Sequence, residues 1–72
     1  VNVFSFHPNP VKDILNISTK DQIETVKIYD VSGKLLDETS TISIDVSHLN
    51  SGLYFINVFV SGKTSMKKFL KM

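Results

Sequence analysis

The sequence predicts an all-β fold, a sandwich or small barrel built from seven short strands. Three observations carry that prediction. Apolar residues recur with a period of two, turn-forming residues break the chain at regular intervals, and no segment carries a helical stripe of useful length. The expected strands span about 1–6, 13–18, 23–30, 33–38, 41–46, 52–60 and 64–71.

The first strand stops at Pro8-Asn9-Pro10, which cannot continue a hydrogen-bonded ladder and reads as an extended turn. Leu15-Asn16-Ile17-Ser18 then alternates apolar and polar residues, as a strand with one buried face requires. In Val26-Lys27-Ile28-Tyr29-Asp30, Val26 and Ile28 share one face. Asp30-Val31-Ser32-Gly33 is a tight hairpin turn in which Gly33 is free to take a positive φ. Ile42-Ser43-Ile44-Asp45-Val46 is the cleanest alternation, and Ser47 to Gly52 is a six-residue polar connection. From Leu53 to Val60 the set Tyr54, Ile56, Val58, Val60 alternates with Leu53, Phe55, Asn57, Phe59. Both sets are largely apolar, so this strand is expected in the middle of a sheet. Ser61-Gly62-Lys63 turns the chain into the last strand.

Length and composition bound what such a fold can do. Seventy-two residues make one domain. At that size about 60% of the unfolded chain's surface can be buried, so stability is a few kcal/mol unless a neighbour helps. Hydrophobic residues at 42% suffice for a core. Cysteine is absent, which excludes a disulfide framework and a thiolate zinc site. A net charge of +1 supplies no strong field for nucleic acid or anionic lipid, and all eight cations are lysine. Nucleic-acid readers favour the planar fork of arginine, so that partner class loses weight. No apolar run approaches the roughly 18 residues of a membrane span, so no membrane insertion is expected. Residue 1 is Val rather than Met, which suggests a piece cut from a longer precursor.

Candidate chemistry is sparse. His7 and His48 stand 41 positions apart with no second ligand at metal spacing, and both read as surface or turn residues. Asp45, Ser47 and His48 carry the letters of a catalytic triad, but neighbours in an extended segment point to different sides and cannot form a relay. A turn held by local side-chain bonds is the better reading. Asp13, Asp21, Asp30, Asp37 and Asp45 fall near strand ends without the alternating oxygens of a calcium loop. No glycine-rich phosphate loop exists, and no catalytic residue, metal or cofactor is expected. Asn16-Ile17-Ser18 matches a glycosylation sequon that lies in mid-strand. Phe55 and Phe59 lie on one face of their strand. They are expected in the core, the alternative being an exposed sugar-stacking platform.

The last strand is the most unusual segment, with Lys63, Lys67, Lys68 and Lys71 around Met66, Phe69 and Leu70. Lysines there can protect an edge strand against sheet-to-sheet aggregation. They can also mark a strand offered to a receptor, and physics alone favours the first use. An edge strand at each end also leaves strand exchange or pairing between two copies open.

Four segments in order resemble a known family. Phe6-His7-Pro8-Asn9-Pro10-Val11 with Asp13-Ile14-Leu15-Asn16-Ile17 is similar to the opening of the type A C-terminal sorting domain of type IX secretion cargo, also called the Por secretion system. Val26 to Lys34 resembles that family's second block. Ile44 to Leu49, leading to Ser51-Gly52-Leu53-Tyr54-Phe55-Ile56, resembles its Gly-x-Tyr block, and Lys67-Lys68-Phe69-Leu70-Lys71 its basic terminus. Each segment is weak alone; in order and at this spacing they are specific, and they span essentially the whole chain. His7 departs from the aromatic, often tyrosine, usual before Pro8, although a ring is retained.

The resemblance implies a seven-strand, immunoglobulin-like antiparallel β-sandwich, residues 1–72 forming one sorting domain at the C-terminus of a larger exported protein. It implies a cargo domain before residue 1 and passage through the periplasm and outer membrane of Bacteroidetes-type bacteria to the cell surface or medium. The implied partners are the type IX translocon and a sortase-like peptidase that removes the domain, which supplies no catalytic residue itself. Lys67, Lys68, Phe69, Leu70 and Lys71 are then the residues read by the machinery, and Pro8, Asn9, Pro10, Gly33, Gly52 and Tyr54 are structural. For Gly52 the role is to permit the loop-to-strand turn, and for Tyr54 to bury its ring while its hydroxyl finds a partner. The competing reading is a carbohydrate-binding or adhesion sandwich.

Overall fold

In the computed structural model, which describes residues 4–72, the alternation of apolar residues resolves into seven strands. They are β1 (Ser5–His7), β2 (Ile14–Ser18), β3 (Ile23–Tyr29), β4 (Leu35–Thr39), β5 (Ser43–Asp45), β6 (Gly52–Val60) and β7 (Lys63–Lys71). The part of the first expected strand before Phe4 lies outside the described residues. Antiparallel pairing assembles a three-stranded sheet, β1-β2-β5, and a four-stranded sheet, β4-β3-β6-β7.

The two sheets pack as a sandwich because each strand turns one apolar face inward. Leu15 and Ile17 of β2, with Ile44 and Val46, meet Val26 and Ile28 of β3 and Ile56 and Val58 of β6, all buried. On β6 the inward set is Tyr54, Ile56, Val58 and Val60. β6 lies between β3 and β7, as its two apolar faces predict. Phe55 and Phe59 are therefore not core residues. With the even positions turned inward, Phe55 and Phe59 lie half-buried on the outer face of the four-stranded sheet.

Turn chemistry sets the register. Ser61 and Gly62 take φ of 52° and 75° and join Val60 to Lys63, the positive-φ pair that a two-residue hairpin with right-handed twist needs. The Gly62 amide also donates to Glu24 Oε1 at 2.8 Å, fastening this turn to β3. Between β3 and β4 the turn runs from Asp30 to Lys34, with Gly33 at φ 90°. It is longer than a two-residue loop, so β4 begins at Leu35 rather than at Gly33. β5 is also shorter than its alternation suggests. The chain bends at Ile42, which is 57% exposed rather than beside Ile44 and Val46, though its carbonyl still accepts the Ile17 amide at 2.8 Å.

The Pro8-Asn9-Pro10 segment carries the chain from one sheet to the other. Both X-Pro bonds are cis, and beyond them buried Val11 lies alongside Lys71 in a parallel bridge. The Val11 amide donates to the Leu70 carbonyl and the Met72 amide to the Val11 carbonyl, each at 2.8 Å. The first segment thus pairs with β2 before the prolines and with the end of β7 after them.

Candidate functional site

β7 is an edge strand, and its side chains divide by the pleat into two groups with different work. Phe69 points inward and is 1% exposed. Its ring stacks on Tyr54 at 5.7 Å between centroids and meets Phe6 edge-on at 6.3 Å, while Phe6 lies 6.2 Å from Phe4. These four rings close the sandwich where β1 faces β7. Alternation carries Lys67 and Lys71 to the same inner side. Lys67 Nζ donates to the Phe4 carbonyl at 2.8 Å and sits 5.0 Å from the Phe4 ring centroid, a cation–π contact. Lys71 is 6% exposed and donates from Nζ to the Met72 carbonyl at 2.8 Å. Its aliphatic stem is covered while the ammonium reaches a backbone acceptor.

Lys68 and Leu70 face outward, with Met66 beside them in the same row. The five residues expected to be read by a receptor are therefore adjacent in sequence but not on one surface. Lys68 and Leu70 are accessible, while Lys67, Phe69 and Lys71 hold the strand to the core. That division was legible in principle, because placing Phe69 inside places Lys67 and Lys71 inside with it.

The other motif residues have structural work. Gly52 has φ of 149°, a conformation L side chains rarely adopt, as expected for the turn into β6. Tyr54 buries its ring and donates its hydroxyl to the Asn50 carbonyl at 2.7 Å, bridging the corner before β6 in the manner of the tyrosine corner of immunoglobulin-like sandwiches. Tyr54→Phe keeps the ring stack and removes that bond. It is expected to cost about 0.5–1.5 kcal/mol, read as a lower Tm in a thermal melt. Asn9 has a role that no local pattern announces: its Oδ1 accepts the outward Leu70 amide at 3.0 Å.

The candidate catalytic and metal residues remain apart or locally engaged. Asp45 Oδ1 accepts the Ser47 hydroxyl at 2.6 Å and the Ser47 amide at 2.9 Å, a closed local turn in which the serine hydroxyl donates its hydrogen bond to the carboxylate. Those bonds, the side-chain one foremost, lower the Asp45 pKa below its ordinary value. Asp30 is lowered likewise, first by the Ser32 hydroxyl and then by the Lys34 amide. His7 and His48 are both exposed. Among the described residues no three His, Cys, Asp or Glu side chains come together as metal ligands. Phe55 and Phe59 share the outer face, and Lys27 Nζ lies over the Phe59 ring at 5.3 Å.

Fold and surface together define a small antiparallel β-sandwich module whose distinctive feature is a lysine-bearing edge strand. The chain belongs to the secretion-system C-terminal sorting domain family, whose model matches residues 5–72. A domain of this family is the sorting signal of type IX secretion, which marks proteins for export across the outer membrane to the cell surface or extracellular space. A search of curated proteins finds no match to this sequence.

Proposed function

We propose that this domain works purely as an address: the secretion machinery reads it through β7, and a sortase-like peptidase then separates it from a cargo preceding residue 1. The observation that supports this reading is the construction of β7. One strand closes the core through Phe69 and presents Lys68 and Leu70 to solvent, so folding holds its exposed groups in one fixed, extended edge. Such a strand lets one receptor accept many cargoes, because fold and edge are the same whatever precedes them. The segment read is Lys67 to Lys71, with Lys67, Phe69 and Lys71 acting by holding it in place.

The test is to fuse residues 1–72 behind a periplasm-targeted fluorescent protein in a strain with type IX secretion. The reporter is expected on the cell surface or in the medium. Retention in the periplasm, equal to that of the reporter without the domain, would overturn the proposal.

A further inference from the structure

Among the described residues the backbone edge of β7 is closed at one end and open at the other. Leu70 directs its amide to Asn9 Oδ1 and its carbonyl to the Val11 amide, so both groups point away from β6. Antiparallel alternation places the amides and carbonyls of Lys68, Met66 and Thr64 on that same outward side. Among the described residues no backbone bond outside the ladders ends on these three. The clip made by Asn9 and Val11 therefore covers the strand's C-terminal end, and among the described residues nothing bonds the outward backbone groups of Thr64, Met66 and Lys68.

Two independent features point to an occupant. A shallow depression runs along this open stretch, lined by Phe6 from the gap between the sheets, Phe55 from the outer face, and Met66, Lys67 and Lys68. Charge is also segregated. The C-terminal segment that holds β6 and β7, residues 46–72, carries four lysines and no acid, whereas residues 1–45 carry four lysines and seven acids, giving +4 against −3.

We infer that Thr64–Lys68 accepts an added β-strand from the secretion machinery, an extended segment carrying carboxylates and apolar side chains in alternation. Its backbone exchanges hydrogen bonds with Met66 and Lys68. Its outward side chains set a carboxylate against Lys68 beside the Met66 thioether, and its inward side chains roof the Phe6 gap and are apolar. This inference rests on the reading that β7 is the strand the machinery recognises. It keeps Lys67 and Lys68 of the segment named there and moves the backbone contact toward Thr64, because the outward groups of Leu70 are already bonded to Asn9 and Val11.

The reporter fusion tests it with three variants. Met66→Pro deletes one outward amide that the fold does not use, a change edge strands tolerate. Lys68→Glu reverses the edge charge, and Lys20→Glu makes the same net change on a remote exposed turn. Met66→Pro and Lys68→Glu are expected to lower the exported fraction about tenfold or more, because like charges set against each other and a lost ladder bond both oppose strand addition. Lys20→Glu is expected to export as the parent does. Thermal melts of the purified chains establish folding; should Met66→Pro fail to fold, the two charge variants decide. Parental export by folded Met66→Pro, or by Lys68→Glu, would overturn the inference while leaving the sorting function intact. Retention of the parent fusion itself would instead overturn the sorting reading.

Discussion

Replacing Phe69 with alanine is expected to leave most of the domain unfolded at 37 °C. Phe69 is 1% exposed and touches the rings of both Tyr54 and Phe6. Truncating a fully buried phenylalanine costs about 3–5 kcal/mol, from the lost burial and the cavity left behind. A domain of this size commands about 3–5 kcal/mol in total, so one substitution is enough. Relaxation can recover little, because the facing residues lie on two different sheets and neither can close the gap without breaking its own ladder. Circular dichroism at 25 and 37 °C against the parent would show it; a cooperative melt within a few degrees of the parent would contradict the packing described here.

Removal of residues 67–72 is expected to have a larger effect still. The deletion takes Phe69 out of the core, removes the Lys67 bond to the Phe4 carbonyl, and strips Val11 and Asn9 of their partners on Leu70 and Met72. It also ends the β6–β7 ladder at Asn57–Met66, leaving the first part of β6 as a bare edge with Tyr54 and Ile56 on its inner face. Amide exchange should find no protected core in the truncated chain, and persistence of slow amides in β3 and β6 would refute this. The consequence for secretion experiments is direct. Loss of export on truncation would follow from unfolding alone, so it does not identify the residues read. Surface changes at Lys68 or Leu70, which leave Phe69 in place, separate recognition from folding.

Much of the fold was legible locally. Period-two alternation identified the buried faces of β2 and β3, and the two apolar faces of Leu53 to Val60 placed β6 inside a sheet without saying which face is buried. Turn residues located the hairpins, since positive φ at Gly33 and Gly62 is a demand that few side chains meet. Strand alternation says which residues share a face, but not whether a neighbour covers that face. Phe55 and Phe59 were expected inside for this reason, and they lie outside because Tyr54 and its set took the core. Ile42 lies outside because the chain bends there and β5 starts only at Ser43, at a sheet edge where little packing force holds the side chain inward.

The lysine-rich last strand was visible in the sequence as a basic segment, and its place at a sheet edge followed from its polarity. Which of its lysines meet solvent, and which stretch of its backbone is free, depended on contacts that span nearly the entire chain. Asn9 and Leu70 are 61 residues apart, and Lys67 and Phe4 are 63 apart. Composition and spacing record the local preference of each segment, whereas these contacts exist only once two sheets have packed and brought the chain's two ends together. Packing, not polarity, turned Lys67 and Lys71 inward and left Thr64 to Lys68 as the open edge.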